Sequence, residues 1–282
     1  MQTTITINKI QYLVGIQGNG KTACLCIGLG GLLQRSLSNE FKKLFTVYAT
    51  DLYFVKEHQH ADVAAFTMQR LVADVLETIQ QLKLEKPIII AHSCFGIVAL
   101  EVAKKANANL RGVILVASAP QWNEESLALT EAHFQYNAEL DRIANDKKRK
   151  EYYALIKKPT DSEVSLEKYI SDSARYWGNF EVKDSEIHAL WDGINIDDAM
   201  INQFFKKILP AHNLEVGIEK IQTPVILLAG EQDYDSIPLV QWATYPTPEN
   251  FTLVHCGDVG HWPQLESTEV FDESIKEWLG KI

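Results

Sequence analysis

The stretch Pro87–Lys105, PIIIAHSCFGIVALEVAKK, decides how the rest of the chain reads. PIIIA has no polar alternation, the pattern of a strand buried on both faces of a parallel sheet. IVALEVAKK repeats its apolar residues at helical spacing. Between them HSCFG forms a tight turn that sets a histidine, a serine and a cysteine side by side. A nucleophile on a strand-to-helix turn wants small residues two positions before and two after it, because the turn is crowded and its backbone strained. For Ser93 the first of these is Ala91, which is small, and the second is Phe95, which is not. For Cys94 the second is Gly96 but the first is His92. Local sterics leave both nucleophiles open.

Outward from this turn the chain alternates strand and helix. Upstream, residues 3–8 (TTITIN), 11–17 (QYLVGIQ), 22–27 (TACLCI) and 44–51 (LFTVYATD) read as strands, with a Gly-rich stretch at 28–31. Phe66, Leu71, Val75, Ile79 and Leu82 place a helix over 65–82. Downstream, RGVILVASAP is a second buried strand. The alternation stops near Pro120, and residues 120–212 read as amphipathic helices. After Thr223 it resumes with PVILLAG, PLVQWATY, FTLVHCG and TEVFDESIKEWLGKI as strand, helix, strand and helix. The expected architecture is α/β, a mostly parallel doubly wound sheet with an inserted helical cap. Residues 1–119 and 213–282 make the core and 120–212 the cap.

Bulk properties narrow the function. The chain has 282 residues, 46% of them hydrophobic and 23% charged, an ordinary globular balance. A formal charge of −10 argues against a nucleic-acid groove, which needs clustered cations. The basic run KKRK at 147–150 reads as a solvated helix face. No apolar run approaches the roughly 20 residues of a membrane-spanning helix, so no membrane partner is expected. The first residues lack the layout of a secretory signal. The four cysteines show no CxxC pair or zinc-finger spacing. Reduced, mostly buried thiols and a cytoplasmic location are the expectation, with neither metal nor cofactor. Cys24 and Cys26, two apart on a strand, share one face.

GIQGNGKT at 15–22 matches the phosphate-loop pattern G-x-x-x-x-G-K-[ST]. That loop needs a helix directly after it, so that backbone N–H groups converge on phosphates. Here the strand-like ACLCI follows, and the segment reads as a hairpin turn instead.

Two further residues give the turn at 91–96 a chemistry. Asp233 in LLAGEQDYDSIP stands just past a buried strand, where a carboxylate can orient an imidazole. His261 in HCGDVGHWPQLE stands in the loop after the last strand. Each signal alone is weak, but serine, aspartate and histidine in this order, each at a strand's C-terminal end, form the set that activates a hydroxyl for attack on a carbonyl.

AHSCFGIVALEVA, GEQDYDSIP and GHWPQLE together resemble the α/β-hydrolase superfamily over nearly the whole chain, and ARYWGNF, ALWDGI and GEQDYDSIP look closest to bacterial proline iminopeptidase-like hydrolases. The resemblance puts the nucleophile at Ser93, favours Asp233 over Asp235 as the acid, and makes His261 the base. It implies an oxyanion hole from the backbone N–H groups of Cys94 and Leu29. Ile27 departs from the family's usual His-Gly-x pattern, which here reads Ile27-Gly28-Leu29, and Phe95 departs at the elbow. His92 is expected to be structural, and His255 and Asp258 to support the histidine loop. Phe95, Trp122, Trp177 and Trp262 are candidates for lining a substrate pocket. No motif marks one of the cap acids Glu124, Glu125, Glu181 or Asp184 as an amine anchor.

The expected activity is that of a cofactor-independent serine hydrolase acting on a small ester or amide, with a small molecule or short peptide as substrate. A proline iminopeptidase-like aminopeptidase, a carbon–carbon bond hydrolase and a non-catalytic ligand-binding homologue are the competing expectations.

Overall fold

The computed structural model describes residues 1–56, 63–106, 109–156 and 164–282. The strands are β1 (Gln2–Ile7), β2 (Ile10–Gly18), β3 (Thr22–Ile27), β4 (Phe45–Ala49), β5 (Ile88–His92), β6 (Gly112–Val116), β7 (Val225–Ala229) and β8 (Phe251–His255). They form an eight-stranded sheet in the order β1-β2-β4-β3-β5-β6-β7-β8. β2 runs antiparallel to both its neighbours, and every pair from β4 to β8 is parallel.

β5, β6 and β7 are buried at every residue, which is why their sequences carry no polar alternation. Successive side chains point to opposite faces of a strand, and here they enter two separate cores. Leu25, Ile89, Leu115 and Leu227 join one, while Cys24, Cys26, Ile90, Val116 and Leu228 join the other. Helices cover both faces. α3 (Met68–Gln81) and α4 (Phe95–Ala106) pack together on the first, with Leu71, Val72 and Val75 turned inward. α1 (Gly30–Ser36), α2 (Asn39–Leu44) and α13 (Thr268–Leu279) cover the second through Leu33, Phe41, Phe271 and Trp278. α3 begins at Met68 rather than at residue 65 because the Thr67 hydroxyl accepts from the Arg70 N–H at 3.2 Å, fixing the cap there.

Two readings of the N-terminal region change. α1 and α2 occupy the stretch between β3 and β4, where the sequence showed only glycines and no long amphipathic repeat. The segment at 18–21 is not a hairpin, because β4 lies between β2 and β3 in the sheet. The connection crosses the start of β4 at close range. A Cβ on Gly18 (φ +83°) would lie 2.3 Å from the Phe45 carbonyl oxygen, and one on Gly20 would lie 2.1 Å from the Leu44 carbonyl carbon. Those glycines serve a backbone crossing, and the strand β3 that follows offers no helix terminus to a phosphate.

Between β6 and β7 the chain forms α5 (Glu124–Asn137), α6 (Leu140–Ile156), α7 (Leu166–Ser171), α8 (Ser173–Tyr176), α9 (Asp184–Trp191), α10 (Asp198–Gln203) and a π-helical turn, Phe204–Ile208. Residues 157–163 of the expected helical cap lie outside the described residues. Among the described residues no helix is long and apolar enough to cross a membrane, and no group of metal-ligating side chains gathers. The remaining helices among the described residues are a 3-10 turn at Ile218–Lys220, α11 (Pro238–Trp242) and α12 (Pro263–Glu266).

Candidate active site

Ser93 stands between the last residue of β5 and the start of α4, with φ +59°. A non-glycine residue is strained in this left-handed region. Its N–H donates to the Val116 carbonyl at 2.9 Å, and its own carbonyl accepts from Gly96 N–H at 3.0 Å. The backbone is thereby held on both sides of the turn. Gly96 is required here, because a Cβ would lie 2.4 Å from the Ser118 hydroxyl. The neighbouring Cys94 is buried, and burial, aided by Asp235, pushes its thiol pKa well above the ordinary cysteine value. A thiol so held is a poor nucleophile.

Phe95 fits the turn because another residue makes room for it. A Cβ on Gly28, whose φ is +86°, would lie 2.3 Å from the Phe95 ring. The ring uses that space, stacks on Phe204 at 5.3 Å and meets Phe54 edge-on at 5.1 Å. The bulk expected to crowd the turn is thus taken up against Gly28, Phe54 and Phe204, and the ring also lines the cavity that Ser93 lines.

His261 and Asp233 meet in the interior, both side chains fully buried, with His261 Nδ1 2.8 Å from Asp233 Oδ2. Asp233 is itself fixed: Oδ1 accepts from the N–H groups of Asp235 and Ser236, both at 3.1 Å, and Oδ2 accepts from the Ser236 hydroxyl at 3.0 Å. With Nδ1 engaged, Nε2 is the ring nitrogen left for proton exchange, and it has no hydrogen-bond partner. Burial disfavours the charged ring, yet Asp233, then Asp235 and Glu266, outweigh it and raise the histidine's pKa above its ordinary value. Asp235, which the family pattern passed over, places Oδ2 3.7 Å from Nε2.

The histidine loop is anchored from several sides. His261 N–H donates to the Tyr176 carbonyl at 2.6 Å, and the His261 carbonyl accepts from His92 Nε2 at 2.7 Å. His92 stacks on Trp262 at 4.2 Å, and burial, with His261 close by, drives its pKa well down, so it is a neutral, structural donor. Glu266 accepts from the N–H groups of Gly178 at 2.7 Å and Gly260 at 3.0 Å. Arg142 of α6, itself buried, donates to the carbonyls of Ala174, Trp177 and Gly178 and to Gln232 Oε1, next to Asp233. The helices after β6 therefore brace both loops that carry Asp233 and His261. His255 is exposed and faces Glu231 at 3.7 Å, on the surface rather than in the site.

Ser93 lines a narrow cavity of about 560 Å³ together with Leu29 and Cys94, the expected oxyanion donors. Ile27, Phe95, Trp122 and Trp262 add to its largely apolar wall. Trp177 is a correction: it does not line this cavity but stacks behind Trp262 at 6.2 Å, its ring kept buried against the histidine loop. The polar groups on the wall include Lys168, Tyr169, Tyr176 and Asp235, of which Lys168 and Tyr169 carried no sequence signal. A wider, more open cavity of about 1290 Å³ shares Trp122, Lys168, Phe205 and Asp235 with the first, so these four form the neck between them.

Residues 16–268 match the model of a family described as alpha/beta hydrolase fold. A curated relative, the AB hydrolase superfamily protein YclE of Bacillus subtilis (strain 168), is 27% identical over 271 residues, covering 94% of this chain and 93% of the relative. Among solved structures, an alpha/beta fold family hydrolase from Bacillus anthracis str. Sterne superposes with a TM-score of 0.74 at 17% identity, covering 99% of each chain. A proline iminopeptidase from Mycobacterium smegmatis superposes with a TM-score of 0.70 at 15% identity, over 100% of this chain and 98% of that one. Both structural likenesses are likenesses of fold.

Proposed function

The chain belongs to the α/β-hydrolase family, and from that premise we propose that it is a serine hydrolase cleaving a small ester or amide through an acyl-enzyme intermediate. The observation that carries this reading is Ser93, held at φ +59° on a cavity wall, in a chain whose buried Asp233–His261 pair leaves Nε2 open for a proton. Ser93 Oγ attacks the carbonyl carbon as its proton passes to His261 Nε2. Asp233 keeps Nδ1–H in place and stabilises the imidazolium that forms. The Leu29 and Cys94 N–H groups receive the developing oxyanion, a contribution worth about 10²–10³ in turnover for one donor where such a hole operates. The imidazolium returns its proton to the leaving group, and water then releases the acyl group by the same route in reverse. The apolar cavity wall suits an uncharged acyl group. From the stretch read as a cap, Trp122, Val164, Tyr169 and Phe205 line the same cavity as Ser93.

A fluorophosphonate probe tests the assignment. Wild type is expected to label at one site, with labelling lost in Ser93→Ala while the fold is retained. Folded wild type that stays unlabelled, or Ser93→Ala that labels as wild type does, sinks the reading.

A further inference from the structure

His261 is bracketed by two carboxylates on opposite sides of its ring. Asp233 takes Nδ1 at 2.8 Å, and Asp235 Oδ2 lies 3.7 Å from Nε2, the atom that has no hydrogen-bond partner. The two acids are two residues apart, and Asp235 N–H donates to Asp233 Oδ1 at 3.1 Å. One short loop therefore fixes both. His261 is fully buried, whereas the side chain of Asp235 is 15% exposed and lines both the inner cavity and the open one. Asp235 thus stands on the side from which Ser93 must reach the ring. The proton that Ser93 gives up lands on the nitrogen that Asp235 faces.

Resting on the serine-hydrolase reading, we propose that Asp235 is an electrostatic positioning residue of the site, holding the charged imidazole of His261 from its Nε2 side and yielding that nitrogen to Ser93 in the productive complex. Attraction between unit charges at this separation is strong where water is excluded. It has two opposite consequences. It stabilises the imidazolium that forms during attack, and it keeps His261 protonated, unable to act as base, to a higher pH in the resting protein.

The other groups around the ring do not replicate this placement. Asp233 is on Nδ1, and Glu266 of α12 is committed to the Gly178 and Gly260 amides. His92, at the end of β5, lies 4.5 Å away ring to ring and gives its Nε2–H to the His261 carbonyl. Tyr176 of α8 meets the His261 ring edge-on at 5.7 Å, and burial, with Asp235 nearby, pushes its phenol pKa well above the ordinary value. Tyr169 and Lys168 of α7 share the cavity with Asp235. Among the described residues, only Asp235 sets a carboxylate against Nε2.

The test is the titration of His261 by imidazole NMR, in wild type and in Asp235→Asn, with no substrate present. Loss of the charge is expected to lower the midpoint by about one pH unit, roughly a tenfold loss in proton affinity. Asp235→Glu, which keeps the charge, is expected to restore most of it. Should the amide not be tolerated, the smaller and neutral Asp235→Ser gives the same reading. An unchanged midpoint in the neutral variant overturns the proposal. The acidic limb of kcat/KM should move to lower pH in parallel. Because the NMR titration needs no turnover, a shifted midpoint in a protein without hydrolase activity would support the role of Asp235 and strike the serine-hydrolase reading alone.

Discussion

Asp233 Oδ2 lies 2.8 Å from His261 Nδ1, and neither side chain has any exposed surface. Two groups that both prefer water are held in the interior, joined to each other by one hydrogen bond. The carboxylate's remaining capacity is filled by Ser236 and by the N–H of Asp235. Such a pair fixes one tautomer, with the proton on Nδ1 and the lone pair on Nε2.

Asp233→Asn breaks that choice, because the amide can equally donate to Nδ1 and turn the ring's proton toward Ser93. Turnover is expected to fall by about 10⁴ with little change in circular dichroism. Steady-state kinetics against an activated ester checks this. A loss under tenfold would mean that Asp233 does not set the tautomer.

Acidification should switch the enzyme off early. His261 must be neutral to act as base. Burial lowers its pKa, but Asp233, Asp235 and Glu266 outweigh burial and raise it above the ordinary 6.5. The acidic limb of kcat/KM is therefore expected at a midpoint above 6.5. The sign for stability runs the other way. A raised histidine pKa contributes stability that is fully present below the unfolded-state value and is lost as pH rises through the folded one. Urea midpoints across that window, compared between wild type and His261→Gln, read this contribution.

The strain at Ser93 predicts a trade of activity for stability. At φ +59° a residue with a Cβ costs about 1–2 kcal/mol relative to glycine, partly offset by glycine's greater chain entropy. Ser93→Gly should abolish turnover and raise stability by up to about 1 kcal/mol in urea unfolding. A clear destabilisation would show that the turn is not strained.

Gly28 and Phe95 should behave as a coupled pair. Gly28→Ala places a Cβ 2.3 Å from the Phe95 ring and forces a side chain onto φ +86°. The expected cost is about 2–4 kcal/mol, from overpacking and backbone strain together. In a Phe95→Ala background the overpacking disappears and only the backbone part remains. A double-mutant cycle by chemical denaturation should give a coupling of at least about 1 kcal/mol.

Much of the fold was legible before any tertiary contact was known, because its signals are local. β5, β6 and β7 betray themselves by unbroken apolar runs, since a strand covered on both faces has no polar side. The alternation of such runs with amphipathic helices implies a doubly wound sheet, and loops at the strand ends are where that sheet collects functional groups. Ser93, Asp233 and His261 each sit at such an end. α1 and α2 escaped because helices of seven and six residues are too short to show a repeat. The supposed hairpin at Gly18 failed because strand order is a property of the sheet, and β4 enters between β2 and β3 from a distant part of the chain.

By itself, then, the sequence determined the class of fold, since periodicity is written along the chain, and the family resemblance it carries pointed to Ser93, Asp233 and His261 as the residues on which a hydrolytic mechanism would turn. Tertiary structure alone decided the rest. It showed that Phe95 is accommodated by the missing side chain of Gly28, that Trp177 backs Trp262 instead of facing the cavity, and that Asp235 meets the far nitrogen of His261. Each of these depends on which atoms share a volume. Close packing in a folded interior is settled among residues distant in sequence, and no local pattern encodes it.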